Sequence, residues 1–140
     1  MKRTHALIVL LAVTIAACGA SVGAGGDPTA NAWAFESGTL NGEPIPYVDG
    51  HPITMLFDET GVGGQAACNQ YFGGYELSGS EISFSELGQT MMACLPEEVM
   101  DSEAAYLEAL ASVDSFGIDG NTMTLTGEGV ELVFVVDEDG

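Results

Sequence analysis

Three side chains in this sequence could do chemistry together: Cys68, Cys94 and His51. Two cysteines can form a disulfide, and thiolates with an imidazole can hold a metal ion or pair a nucleophile with a base. A metal site would have only these three ligands, without the paired spacing of zinc sites. No cation lies near Cys68 in the sequence to favour its thiolate. These residues therefore favour a disulfide, and the metal site and the nucleophile remain alternatives.

The other polar residues form no recognisable reactive set. Adjacent acids at Asp58-Glu59 and Glu97-Glu98 are typical of solvated surfaces, and His51 follows a glycine and precedes a proline, which indicates a solvent-facing loop. The sequence contains no nucleophile elbow, phosphate-binding loop or His-rich metal motif. We therefore predict no catalytic residue, no cofactor and no metal ion.

The charge is strongly one-sided. The chain has 140 residues with 21 Asp and Glu against 2 Lys and Arg, and both cations, Lys2 and Arg3, precede every acid. Binding to nucleic-acid phosphates relies on Lys and Arg, so this class of function is excluded. A basic patch that docks on anionic lipid is disfavoured for the same reason. The 46% hydrophobic content is still sufficient for a packed core.

The first residues have the pattern of an export signal. Lys2 and Arg3 precede an apolar run over residues 6–17, which is shorter than the roughly 20 residues of a membrane-spanning helix. Small residues then lead to Cys18 in a pattern that resembles the lipobox of bacterial lipoproteins. The resemblance implies that Cys18 is lipidated, becomes the new N-terminus and anchors an exported protein to the membrane of the bacterial cell envelope.

Composition divides the chain into three parts. We predict a signal peptide over residues 1–17, a lipid-anchored flexible tether over residues 18–30, where small residues show no periodicity, and one domain over residues 31–140.

Export also affects the interpretation of the cysteines. Exported proteins meet an oxidising compartment, and once Cys18 carries lipid, only Cys68 and Cys94 remain to pair. A bond between Cys68 and Cys94 would close the chain between them into a loop, and closing a loop of this length stabilises a fold by roughly 3.5 kcal/mol in the chain-entropy model. We therefore predict a Cys68–Cys94 disulfide.

Short alternating segments separated by turn residues predict most of the domain to be strands. Gly73 and Gly74 lie inside one of these segments and indicate a bulge or a tight bend. The predicted strands cover residues 53–57, 62–67, 69–77, 81–85, 123–126 and 130–136, with a further strand from residue 113 onward.

One segment has a helical period. Pro96 precedes it, acids occupy its first turn, and residues 97–113 contain no Gly or Pro. Apolar residues at spacings of three and four predict an α-helix there; they are Val99, Met100, Ala104, Leu107, Leu110 and Ala111. The fold class is therefore predicted to be mainly β: a curled, barrel-like antiparallel sheet with one α-helix packed on it.

Two cysteine motifs resemble those of a known family. Residues 64–75 read Gly-Gln-Ala-Ala-Cys-Asn-Gln-Tyr-Phe-Gly-Gly-Tyr, and residues 90–94 read Thr-Met-Met-Ala-Cys. They are similar to the Gly-x-x-x-Cys-Asn-x-Tyr-x-Gly-x-Tyr and Thr-x-Met-Ala-Cys signatures of META domains, found in HslJ-like bacterial lipoproteins. The resemblance covers residues 32–136, and the second position of the shorter motif, often basic in the family, is Met91 here. The matching motif residues besides the cysteines are Gly64, Asn69, Tyr71, Gly73, Tyr75, Thr90 and Met92.

The resemblance implies the same kind of curled sheet in a cell-envelope protein, from a family associated with heat-shock response and antibiotic tolerance but with no established enzymatic activity. We expect Asn69 to hold backbone groups at a bend, and Tyr71, Phe72 and Tyr75 to serve in packing more than as a binding platform.

Three functions of different classes follow. The first is a non-catalytic, lipid-anchored, monomeric envelope module that binds an unidentified partner or supports envelope integrity under stress. The second is a small apolar-ligand binder that uses the mouth of the barrel. The third is a hydrolase, which the absence of a reactive set of residues disfavours.

Overall fold

Alternating apolar and polar residues form the strands as predicted. The computed structural model describes residues 26–139. Its strands are β1 (Trp33–Leu40), β2 (Glu43–Pro44), β3 (Thr54–Phe57), β4 (Val62–Ala66), β5 (Asn69–Ser78), β6 (Glu81–Gln89), β7 (Val113–Asp119), β8 (Thr122–Gly127) and β9 (Val130–Val136).

The strands close into an antiparallel barrel. Their order along the sheet is β2-β1-β3-β4-β5-β6-β7-β8-β9, and β1 also pairs with β9 along its length, from Trp33–Val136 to Leu40–Val130. The two-residue strand β2 is an appendage of β1, so eight strands make the closed wall. The predicted fold class is confirmed.

The predicted bulge is present and lengthens one strand. The register between β5 and β6 shifts between Phe72 and Gly74, so that β6 continues past the predicted end at residue 85 and pairs Gln89 with Tyr71. Glycine is required at Gly73, because a Cβ there would come within 2.8 Å of the carbonyl oxygen of Ser85.

The interior of the barrel is filled by side chains of its strands and of the single helix. Aromatic rings meet edge to face at its centre, with ring centroids 5.7 Å apart for Phe35 and Phe134 and 6.0 Å apart for Phe35 and Tyr106. The largest fully buried side chains are Trp33, Tyr71, Tyr106, Phe134, Ile53, Met55, Ile82, Leu110, Met123, Leu125, Leu132 and Glu103.

Helix α1 (Glu97–Ala111) packs against β1, β4, β6 and β9. The β6–β7 ladder has a single register pair, Glu81 with Ser115. Because the helix lies against β6, it helps to close the wall where this ladder stops. Among residues 26–139, no helix is both long and apolar enough to cross a membrane.

The predicted helix is present, but its buried face is not the set of its apolar residues. Val99 and Leu110 are buried, whereas Ala104 and Ala111 are exposed, and Met100 and Leu107 are only partly covered. The buried face consists of Val99, Ser102, Glu103, Tyr106, Ala109 and Leu110. Apolar periodicity does not locate this face because three of these residues are polar and bury their side chains through hydrogen bonds. Ser102, for example, donates from Oγ to the carbonyl oxygen of Pro46 at 2.6 Å.

The packed part of the chain begins before the predicted boundary at residue 31. Residues Pro28–Ala30, predicted as the end of the tether, form a 3-10 turn. Pro28 is buried, and its carbonyl oxygen accepts a hydrogen bond from the Trp33 indole at 2.7 Å. Trp33 is itself fully buried, so this bond fastens the incoming chain to the barrel.

Because no described residue is Lys or Arg, we predict that the stability of the fold depends on salt. The carboxylates repel one another at low ionic strength, where the Debye length is about 30 Å at 0.01 M, and are largely screened at about 10 Å in 0.1 M salt. The melting temperature at pH 7 should therefore rise between about 0.01 M and 0.15 M NaCl, measured by circular dichroism.

A melting temperature that stays constant over this range of salt would contradict the prediction. A rise confined to salt above about 1 M, far beyond the screening range, would indicate adaptation to a saline habitat instead. A jump with micromolar calcium would indicate a cation site.

Candidate functional site

The turn between β4 and β5 forms a small anion-binding nest. Ala67 has a left-handed backbone (φ 68°), which is rare for a residue with a side chain. This conformation directs the consecutive N–H groups of Cys68 and Asn69 toward the same carboxylate, that of Glu103.

Glu103 occupies the nest from helix α1. Its side chain is only 1% exposed. Its Oε2 accepts hydrogen bonds from the backbone N–H of Cys68, at 3.1 Å, and of Asn69, and its Oε1 accepts from the Asn69 amide at 2.7 Å. Since residues 26–139 contain no Lys or Arg, these N–H dipoles compensate for the buried carboxyl group.

Asn69 passes this constraint on to the loop after β6. Its Oδ1 accepts from the backbone N–H of Met92 at 2.7 Å and from the Thr90 hydroxyl at 3.0 Å, while its Nδ2 donates to the Met92 carbonyl at 3.0 Å. The Asn69 side chain therefore binds the backbone of Met92 on both sides, as a short backbone pairing would. This is the role that the sequence predicts for Asn69.

The disulfide fastens the same loop a second time. Cys68 and Cys94 are bonded, with their Cα atoms 5.8 Å apart and a sequence separation of 26, which confirms the predicted pair. The Cys94 N–H also points at the Met100 sulfur at 3.4 Å. Residues 90–94 are thus held to β5 and to the helix at several points.

The side chains of this fastened loop face solvent. The exposed fractions are 89% for Met91, 60% for Met92 and 84% for Leu95. Exposed carboxylates of Glu97 and Glu98 follow at the start of the helix. We call this surface, Met91, Met92, Leu95, Glu97 and Glu98, the methionine face.

The aromatic motif residues have different roles. The Tyr71 hydroxyl meets that of Tyr106 at 2.9 Å inside the barrel and donates to the Thr54 carbonyl at 2.9 Å. Burial raises the pKa of both phenols above the ordinary value, so both stay neutral at physiological pH. Tyr75 is half-buried and packs edge to face on Phe57, with centroids 5.0 Å apart.

Phe72 differs from the other two aromatic residues of the motif. Its side chain is 58% exposed, and its ring lies over Gly88, where a Cβ would come within 2.7 Å of it. Packing thus accounts for Tyr71 and Tyr75 but only in part for Phe72. Gly64, the first motif residue, leaves room for a neighbouring strand, because a Cβ there would collide with the Thr54 carbonyl.

The disulfide removes the thiolates that a metal site or a cysteine nucleophile would need. Cys68 and Cys94 are consumed by the disulfide, so neither can ligate a metal ion or attack a substrate in this form of the protein. His51 is partly buried in the loop before β3, and its backbone N–H donates to Val48. In the part of the chain that the structure describes, no group of three His, Cys, Asp or Glu is arranged to hold a metal ion.

Sequence reasoning missed Glu103 and Tyr106 as members of this site. A signal was present, because Val99, Glu103, Tyr106 and Leu110 recur at spacings of four, three and four, the period of one helix face. A single acid within such a stripe indicates a buried carboxylate that needs donors. Cys18, the predicted lipid-attachment residue, lies outside the described residues.

We predict that stability falls in the order wild type, Glu103→Gln, Glu103→Ala. Alanine leaves the Asn69 N–H and one hydrogen of the Asn69 amide without an acceptor, and it leaves the Cys68 N–H with only the Ala66 carbonyl. This costs about 2–4 kcal/mol, whereas glutamine keeps one acceptor oxygen but places an NH₂ group among donors. Urea unfolding of the protein with its disulfide intact measures the difference. Glu108→Ala, at an exposed position of the same helix, is the matched control and should change stability by less than about 0.5 kcal/mol. If the Glu103 and Glu108 variants were equally stable, the nest would not contribute to folding.

Comparisons with known proteins agree with this geometry. The family model of the META domain matches residues 28–139. An NMR structure of a protein from Burkholderia xenovorans is similar at 30% identity and a TM-score of 0.65, over 77% of this chain and 82% of that chain. A second NMR structure, at 24% identity and a TM-score of 0.60 over 77% of this chain and 90% of that one, is similar in fold. No curated protein matches the chain. This chain belongs to the META domain family.

Proposed function

We propose that this protein is a non-catalytic, lipid-anchored module of the bacterial cell envelope that binds a partner through an exposed surface. One observation carries the proposal: the polar groups in and around the family signature hydrogen-bond to one another and to the backbone. Glu103, Asn69 and Thr90 form hydrogen bonds with backbone groups and with each other, and the two cysteines of the signature form a disulfide. These groups position a loop, and the loop presents apolar side chains to solvent.

Rigidity supports a binding role for that loop. Exposed methionine and leucine side chains are ordinary as isolated surface residues, but here three lie within five positions on a backbone fastened by a disulfide and by Asn69. A fastened backbone loses little conformational entropy on binding, which favours association.

The second candidate, a binder of small apolar ligands inside the barrel, receives less support. Tyr71, Tyr106 and Phe134 fill the centre, and helix α1 packs over the wall. A surface cavity of about 560 Å³ is open and lies along the β5–β6 hairpin, with Glu76, Glu81 and Asp114 among its lining residues. Such a lining suits an apolar ligand poorly.

Lipid anchoring rests on the leader and on Cys18. An apolar run over residues 6–17 followed by a cysteine fits a lipoprotein signal. Lipidation of Cys18 would also leave one pair of cysteines, the pair that forms the disulfide. A role in envelope integrity under stress rests on what is known of META proteins as a family.

The anchoring predicts that Cys18→Ser moves the protein from the membrane to the soluble fraction, because residues 6–17 are too short to remain as a spanning helix. Carbonate-washed membranes from the bacterial host, probed by immunoblot, measure the distribution. Ser21→Ala, three residues further along the chain, is the control and should remain with the membrane. A Cys18→Ser protein that stays in washed membranes would refute the lipoprotein assignment.

A further inference from the structure

We propose that the methionine face binds a cationic, amphipathic segment of another envelope protein, in which Lys or Arg side chains flank apolar ones. The inference rests on the proposed binding function and names the chemistry of the partner.

The apolar part of the face calls for apolar side chains on the partner. Met91 and Leu95 are more than four-fifths exposed, and Met92 more than half. Methionine is unbranched and polarisable, so that it adapts to differently shaped apolar partners, and it is frequent at surfaces that bind amphipathic helices.

The charged part of the face selects cations. Glu97 and Glu98 follow Leu95 after a single proline, and both are exposed. No Lys or Arg among residues 26–139 neutralises them. A cation beside an apolar side chain would therefore meet both halves of the face, and the overall negative field would speed its approach.

The same charges oppose two other occupants. A second copy of this chain would bring an identical set of carboxylates against Glu97 and Glu98 across a symmetric contact. An anionic bilayer would be repelled for the same reason.

The position of the face also opposes a bilayer. The chain from Cys18 reaches the barrel at Pro28, and the neighbouring Thr29 lies beside Phe57 and Asp58, at the end of the barrel where β3 turns into β4. The methionine face is held by Asn69, beyond the opposite end of β4. The described chain thus begins at one end of the barrel, while the methionine face lies at the other end.

Fluorescence anisotropy with a labelled amphipathic peptide of leucine and lysine tests the proposal. The protein is the exported chain carrying Cys18→Ser, so that no detergent is needed. The triple variant Met91→Ser, Met92→Ser and Leu95→Ser should bind the peptide about tenfold more weakly, because exposed apolar area is lost. The matched control is Leu56→Ser with Leu77→Ser, two exposed leucines outside the face, and should bind within about twofold of the parent chain.

A second variant tests the charges independently. Glu97→Gln with Glu98→Gln should weaken binding of the same peptide and reduce its dependence on salt between about 0.05 M and 0.3 M. This variant keeps every apolar side chain, and it decides the matter if the triple variant fails to fold.

Other outcomes would overturn the proposal. These are equal weakening by the triple variant and the leucine control, binding to phosphatidylglycerol vesicles that needs the three apolar side chains, or dimerisation in sedimentation that the triple variant abolishes. Each can occur whether or not Cys18 is lipidated, so failure here is distinguishable from failure of the anchoring.

Discussion

The structure depends on how one buried carboxyl group is satisfied. Glu103 lies inside a protein whose described residues include no Lys or Arg, so its compensation comes from N–H groups. Two of these belong to consecutive residues of a turn that must adopt a left-handed conformation at Ala67 to present them. Such a conformation costs about 1–2 kcal/mol, and the hydrogen bonds to Glu103 offset it. Helix, turn and β5 are thereby fixed to one another.

The surface follows from this constraint. Once Asn69 is oriented by Glu103, its remaining groups bind the backbone of Met92, and the adjacent disulfide holds Cys94. The loop between β6 and the helix has little freedom left, although its side chains bury almost nothing. The buried Glu103 is thus linked to the exposed methionines: it fixes Asn69, and Asn69 fixes the backbone that carries them.

Much of the fold was predictable because it depends on the types and spacing of residues that are close together in the sequence. The hairpin turn at Asp58, the bulge at Gly73 and the helix after Pro96 depend on neighbouring residues, and all are present. The disulfide followed from counting cysteines in a sequence that begins with the pattern of an export signal. The buried helix face did not follow, because apolar periodicity ignores polar residues, and the partners of Glu103 lie 34 and 35 residues away. A buried acid is recognised only when its donors are known.

Amide hydrogen exchange at Cys68 and Asn69 tests the central claim most directly. If Glu103 holds these two N–H groups until the whole domain unfolds, they should exchange as slowly as the slowest amides of β8 and β9, with the same dependence on denaturant. The rates are measured by NMR on the protein with its disulfide intact. Exchange faster than in β8 and β9 by about a hundredfold or more, through a local opening insensitive to denaturant, would show that the fold persists without this contact and would contradict the account.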